Sequence, residues 1–235
     1  MFLLTGASLL LVLIMGIGLY MKSAPIFEDH SLWELLSASE WKPFKNRFGF
    51  YPFIMGTVWV TGIALVLALP LSLLTEYSRA WVKRWFYPAL DILAALPSVI
   101  YGVWGSLLIV PWISERLAPH FVEFSSGYTV LAGGIVLSVM ILPLLVSLFV
   151  EIFSTVPQEL RDASQALGAT RWQTTKKVVI RRSLPGIFAA VVLAVSQALG
   201  ETIAVLMVCG NLAQVPHSVF DACYPIPALI ANNFL

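Results

Sequence analysis

The chain has 235 residues, of which 59% are hydrophobic and 11% charged, with a formal net charge of +1. Soluble domains carry about a quarter charged residues, so this composition excludes an ordinary water-soluble globular protein. The near-zero net charge says little about partners, because the distribution of charge matters more than its sum.

A bilayer core about 30 Å thick is crossed by roughly 20 apolar residues in a helix. Charge-poor runs of that length recur, and they predict spans at Phe2 to Met21, Phe53 to Thr75, Phe86 to Ile113, Tyr128 to Val150 and Leu184 to Cys209. The reading is an all-α polytopic membrane protein with five spans. No Lys or Arg precedes Lys22, and the first apolar run exceeds the usual length of a secretory signal, so it reads as a retained helix.

Between the first two spans, Ser31-Leu32-Trp33-Glu34 reads as a capping box opening a short helix. With Trp33, Trp41, Phe44, Phe48, Phe50 and Tyr51 around it, the loop from Lys22 to Pro52 suits the headgroup level. It reads as an interfacial brace, with contact to substrate as the alternative. Glu76, Asp91 and Glu151 are expected near span ends, where interfacial solvation suffices. Pro70, Pro97, Pro111 and Pro143 fall within predicted spans and should kink them, while Gly133-Gly134 should permit close helix contact.

Orientation follows from Lys and Arg in short loops. One face receives Arg79, Lys83, Arg84, Arg161, Arg171, Lys176, Lys177, Arg181 and Arg182; the other receives Lys22, Lys42, Lys45, Arg47 and Arg116. The larger, denser set is placed in the cytoplasm. The N-terminus is then inside, and the first loop outside.

The stretch from Gln158 to Pro185 is polar and basic, yet lies between two of the most apolar segments. Pro157 suits a first helical position. Leu160, Ala163, Ser164 and Leu167 recur at helical spacing and give one face of small and apolar residues. Gly168 then suits the left-handed turn that ends a helix, and Thr170-Arg171-Trp172-Gln173 offers a second capping box. The prediction is helix, glycine turn, helix. Such an element docks into a groove on a partner, or lies as an amphipathic helix against lipid phosphates. The residues alone leave both open.

Asp162-Ala163-Ser164, three residues, then Gly168 resembles the EAA loop of bacterial ABC importer permeases, with Asp for Glu, Ser for the second Ala, and Ile180-Arg181 where Leu-Pro is usual. A Leu-Pro pair follows at Leu184-Pro185. Ala95 to Gly102 (ALPSVIYG) and Ala198 to Val205 (ALGETIAV) resemble the phosphate-uptake permeases, C-type subunit. That resemblance implies a type I ABC importer permease-like bundle, one transmembrane domain over 1–235 with its coupling loop at 154–184, in a bacterial inner membrane. It assigns ATPase coupling to Asp162, Ala163, Ser164, Leu167 and Gly168. It also implies a second permease subunit, two ATP-binding subunits and an extracytoplasmic substrate-binding protein as partners, besides membrane lipid. Neither a cofactor nor a nucleic acid is expected.

Glu201 is expected roughly 24 Å along the fifth helix from Pro185. There a carboxylate costs about 2.5–3.5 kcal/mol on insertion scales, which marks a path or gate element, or else a structural bond between helices. Gln197, where the resembled family carries Arg, and Thr202 complete the expected path. Family members continue into a sixth span after Pro227 to Phe234, so one span is expected to be missing.

The chain has no GxxxxGK[ST] nucleotide loop, HExxH or GxSxG, so it is read as a transport subunit powered by another protein. A permease for another oxyanion, or a membrane signalling or scaffold subunit, remains open. Cys209 and Cys223 have no metal-like spacing and read as no redox pair.

Overall fold

The computed structural model describes residues 2–75 and 80–233. Glu76, Arg79 and Phe234 lie outside the described residues. Two compact units, Met1–Tyr51 and Pro52–Leu235, are described in turn.

The first unit opens with helix α1, Phe2–Asp29. It runs past the expected end at Met21, because Lys22 to Asp29 continue the helix through Pro25. Its window long and apolar enough to cross a membrane is Leu9–Asp29, none of it buried within the protein. Helix α2, Leu32–Ser37, starts where expected, but Ser31 makes no side-chain capping bond. Glu34 lies instead 3.7 Å from His30 Nδ1, so the expected capping box is absent. The chain then forms a small hairpin from β1, Trp41–Lys42, and β2, Arg47–Phe48, paired antiparallel. Trp41 packs against Phe48 and Phe50 at ring separations of 5.7 and 5.5 Å. The Glu40 carboxylate accepts from Arg47 at 2.8 Å and Lys42 at 3.2 Å. These two cations hold its pKa below the usual carboxylate value.

The second unit is a helix bundle. Helix α3, Tyr51–Leu73, matches the second predicted span to within two residues. The third expected span, Phe86 to Ile113, is overturned. The chain makes α4, Ala80–Ala95, breaks, and resumes as α5, Ser98–His120. Pro97 is the cause. Lacking an N–H, it cannot bond to the Leu93 carbonyl one turn back. The Tyr101 hydroxyl donates to that carbonyl instead, at 2.6 Å, and the Leu96 N–H also reaches it, at 3.1 Å. Helix α5 is itself irregular, with π-helical turns at Gly105–Ile109 and Ile113–Leu117 on either side of Pro111.

Helix α6, Val130–Ser154, is the centre of the bundle. It packs against α4, α5 and the two helices that follow the polar stretch. Phe149, Phe153, Leu137, Ile141 and Leu145 on it are essentially inaccessible to solvent. The expected close approach at its diglycine is present: a methyl at Gly133 would strike Cys209 Sγ and Val60, and one at Gly134 would strike Ile63. Thr129 caps the helix by accepting from the Ala132 N–H at 3.1 Å.

After α6 come α7, Gln158–Ala166, and α8, Arg171–Arg182. Helix α9, Leu184–Gly200, leaves α8 at a bend of 73°. The fifth expected span therefore does not run unbroken to Cys209. It stops at Gly200 and resumes as α10, Ile203–Val208, with α11, Ile226–Asn233, closing the described chain. Among the described residues, four helices are long and apolar enough to cross a membrane, or five if α8 and α9 count as one bent span. The protein is thus an all-α membrane protein.

Adding one methyl tests the packing at α6. Gly133→Ala should lower the thermal midpoint in detergent, since overpacking costs about 1–3 kcal/mol. Gly62→Ala, with nothing within 4 Å of its added carbon, should not lower it. Tyr101→Phe should cost about 0.5–1.5 kcal/mol, the net contribution of one hydrogen bond, in the same measurement.

Candidate coupling segment and path

The polar stretch folds as its residues dictate. Pro157 sits one position earlier than expected, as the residue capping α7 rather than its first turn. Helix α7 is capped by Leu167, and Gly168 takes a φ of +86°, the left-handed conformation glycine adopts at no steric cost. Its N–H returns to the Gln165 carbonyl at 2.9 Å, and the Ala169 N–H to Ser164 at 3.2 Å. Helix α8 then opens with the predicted capping box: Gln173 N–H donates to Thr170 Oγ1, and Thr170 N–H to the Gln173 side chain.

One bond roots this elbow in α6, and a second braces its two helices against each other. Arg161 donates to the Phe153 carbonyl at the end of α6, at 2.7 Å. Ser164 and Thr174 share a hydroxyl–hydroxyl bond of 3.1 Å, joining α7 to α8. Thr174, Thr175 and Val179 bury one side of α8.

The expected face of α7 is consequently divided. Ser164 turns inward, while Asp162, Ala163 and Gly168 stay exposed and Leu167 is 90% exposed. Asp162 accepts from Gln158 one turn back at 2.9 Å.

The bend into α9 occurs at Ser183, with Pro185 just inside the new helix. Ala190, Ala194 and Ala198 recur every four residues and bury the face of α9, which packs against α6. Gln197 lies on another side and opens into a cavity of about 390 Å³. Asp91, Tyr101, Pro143 and Ser147 share that lining.

Asp91, exposed near the end of α4, lines both this cavity and an adjoining one of about 270 Å³.

Glu201 is also differently placed than expected. Its backbone is extended, with φ −73° and ψ 124°, at the break rather than in a helix. Its carboxylate accepts from the Ala204 N–H at 3.1 Å, at the start of α10. A carboxylate at a helix start satisfies a free amide and meets the positive end of the helix dipole. Glu201 and Thr202 are half-buried and are not among the residues lining the 390 Å³ cavity. The structure thus separates Gln197, in the cavity, from Glu201 and Thr202, at the break.

Cys209 and Cys223 are both free thiols, and the fold brings them together. The chain returns after α10 so that the Cys223 N–H donates to the Cys209 carbonyl at 2.9 Å, and both side chains are fully buried.

Comparison with known proteins agrees with this architecture. Residues 68–222 match the family described as binding-protein-dependent transport system inner membrane component. The chain is 38% identical over 207 residues to the probable ABC transporter permease protein YqgH of Bacillus subtilis, covering 85% of this chain and 65% of that protein. It is 35% identical over 213 residues to the phosphate transport system permease protein PstC of Haemophilus influenzae, covering 83% and 68%. Against the probable phosphate transport system permease protein PstC of Methanocaldococcus jannaschii it is 34% identical over 249 residues, covering 96% and 77%. The chain spans about two thirds of the length of the first two of these relatives. A bundle with a glycine elbow, broken spans and a match over most of its length identifies the chain as a member of the binding-protein-dependent transport system inner membrane component family.

Proposed function

We propose that this chain is a permease subunit of an ATP-driven importer and that its cargo is inorganic phosphate. The exposed, glycine-bent elbow of α7 and α8 carries the reading, because it is rigidly rooted at one end and offered to a partner at the other. Several relatives bear the name phosphate transport system permease protein, which supports the choice of cargo.

In this reading the N-terminus and the elbow lie in the cytoplasm, and residues 154–184 form the coupling loop of a single permease domain, 1–235. Asp162, Ala163, Ser164, Leu167 and Gly168 dock to one of two ATP-binding subunits, which hydrolyse ATP. A second permease subunit completes the bundle, and an extracytoplasmic binding protein delivers cargo.

The mechanism follows from the bonds that root the elbow. Movement of α7 is passed to α6 through Arg161 and the Phe153 carbonyl, and to α8 through Ser164 and Thr174. Helix α8 meets α9 at the Ser183 bend, so a rotation of α8 becomes a tilt of α9. That tilt moves Gln197 in its cavity and the Glu201–Thr202 break beyond it. Partner closure and cargo access are then coupled through differential binding to two arrangements of the bundle. No Lys or Arg lines the described cavity beside Asp91 and Gln197. A phosphate passing there takes its compensating positive charge from the second permease subunit.

Two outcomes are expected. Gly168→Trp and Ala163→Arg should leave the protein in the membrane but cut ATP-dependent uptake roughly tenfold or more, the effect of losing about 1.4 kcal/mol of docking. Undiminished cargo-stimulated ATP hydrolysis in both variants would refute the assignment. In uptake assays phosphate should compete with labelled phosphate, and sulfate and molybdate should not; equal competition by sulfate would replace phosphate with a broader oxyanion cargo.

A further inference from the structure

We propose that Cys209 and Cys223 form a disulfide that pins the loop between α10 and α11. The site lies outside the coupling segment and path, and it rests on the proposed orientation only in placing this loop on the extracytoplasmic side.

The geometry brings the two residues together from several directions. Residues 210 and 223 pair as an isolated parallel bridge, and the Cys223 N–H donates to the Cys209 carbonyl at 2.9 Å. The two thiols are within hydrogen-bonding reach of one another.

Two glycines clear the space for these side chains. A methyl at Gly133 would strike Cys209 Sγ, and one at Gly56 would lie 3.3 Å from Cys223 Cβ. Gly210, at φ +84°, turns the chain immediately after Cys209.

The loop so closed has a fixed task. Its Asp221 and Val219 carbonyls accept from the first two amides of α6, Val130 and Leu131, each at 2.9 Å. The Asp221 carboxylate in turn accepts from the His217 and Ser218 amides at 2.9 Å. A covalent tie between Cys209 and Cys223 holds this cap on the central helix.

Both sulfurs are inaccessible once the loop is docked, so oxidation precedes docking. The oxidant is a protein disulfide donor of the extracytoplasmic compartment, where disulfides persist. One cysteine thiolate attacks a donor sulfur, forming a mixed disulfide and releasing the donor's other thiol. The second thiolate then attacks the mixed disulfide, forming the Cys209–Cys223 bond and releasing the remaining donor thiol. Two electrons and the two thiol protons end on the donor dithiol.

The test counts thiols. Full-length protein in its own membranes is quenched in acid, dissolved in SDS and treated with a polyethylene glycol maleimide, with and without prior reduction. The expected result is no label before reduction and two labels after, while Cys209→Ser and Cys223→Ser each carry one label without reduction. Two labels on the unreduced protein would overturn the proposal. Because labelling follows denaturation, a misfolded variant cannot mimic either result. Orientation is read separately, with Leu167→Cys and a membrane-impermeant maleimide in intact and opened cells, so its failure is distinguishable from failure of the disulfide.

Discussion

Within lipid no water is present to satisfy a free backbone group, so each broken turn needs a partner supplied by the protein itself. This chain breaks its helices at Pro97, Ser183 and Glu201, and its architecture depends on how those breaks are repaired. Tyr101 returns to the Leu93 carbonyl, and Glu201 takes up the Ala204 amide. Thr57 accepts from the Ile226 amide at 2.9 Å while donating to the Phe53 carbonyl, tying α3 to the start of α11. The repairs at Pro97 and Glu201 are made by side chains close to the break in sequence. The motifs ALPSVIYG and ALGETIAV are largely the record of these repairs, with Gly102 added so that α10 can approach α5 against Ala204 and Met207.

The same breaks divide the bundle into rigid pieces joined at defined angles. Helix α6 is the fixed reference, filled on several sides by Phe149, Phe153, Leu137, Ile141 and Leu145. Against it stand α9, whose alanine stripe allows close approach, and the elbow, held by Arg161 and by the Ser164–Thr174 bond. In the proposed mechanism these pieces act as levers. A continuous α8–α9 helix would move along its axis, whereas a 73° bend converts the same displacement into tilt. The cavity beside Gln197 and Asp91 lies between α4, α6 and α9, where a change in tilt alters its width.

Much of this was legible in the sequence, and the failures share a cause. Span number and the ends of α3 and α6 follow from runs of apolar residues, a signal set by bilayer thickness. The Thr170 capping box and the left-handed Gly168 are local, so three or four residues determine them. Where long-range contacts decide, reading the sequence misleads. Pro97 was expected to kink a helix, but the bond from Tyr101 to Leu93 stabilises a full break. Glu201 was expected in mid-helix because its neighbours are apolar, yet its carboxylate serves better as the first bond of α10. The Ser31 box failed because Glu34 faces His30 instead. Cys209 and Cys223 meet only because the loop folds over the start of α6, which no spacing rule encodes.

The central claim is that the elbow transmits motion from an ATP-hydrolysing subunit, and contact at its tip measures that most directly. A photoreactive amino acid at Leu167, 90% exposed on the elbow face, would be activated in native membranes containing the assembled transporter. The account predicts a crosslink to the ATP-binding subunit whose yield changes with nucleotide. A crosslink to the extracytoplasmic binding protein, or none to the ATP-binding subunit with or without nucleotide, would contradict it.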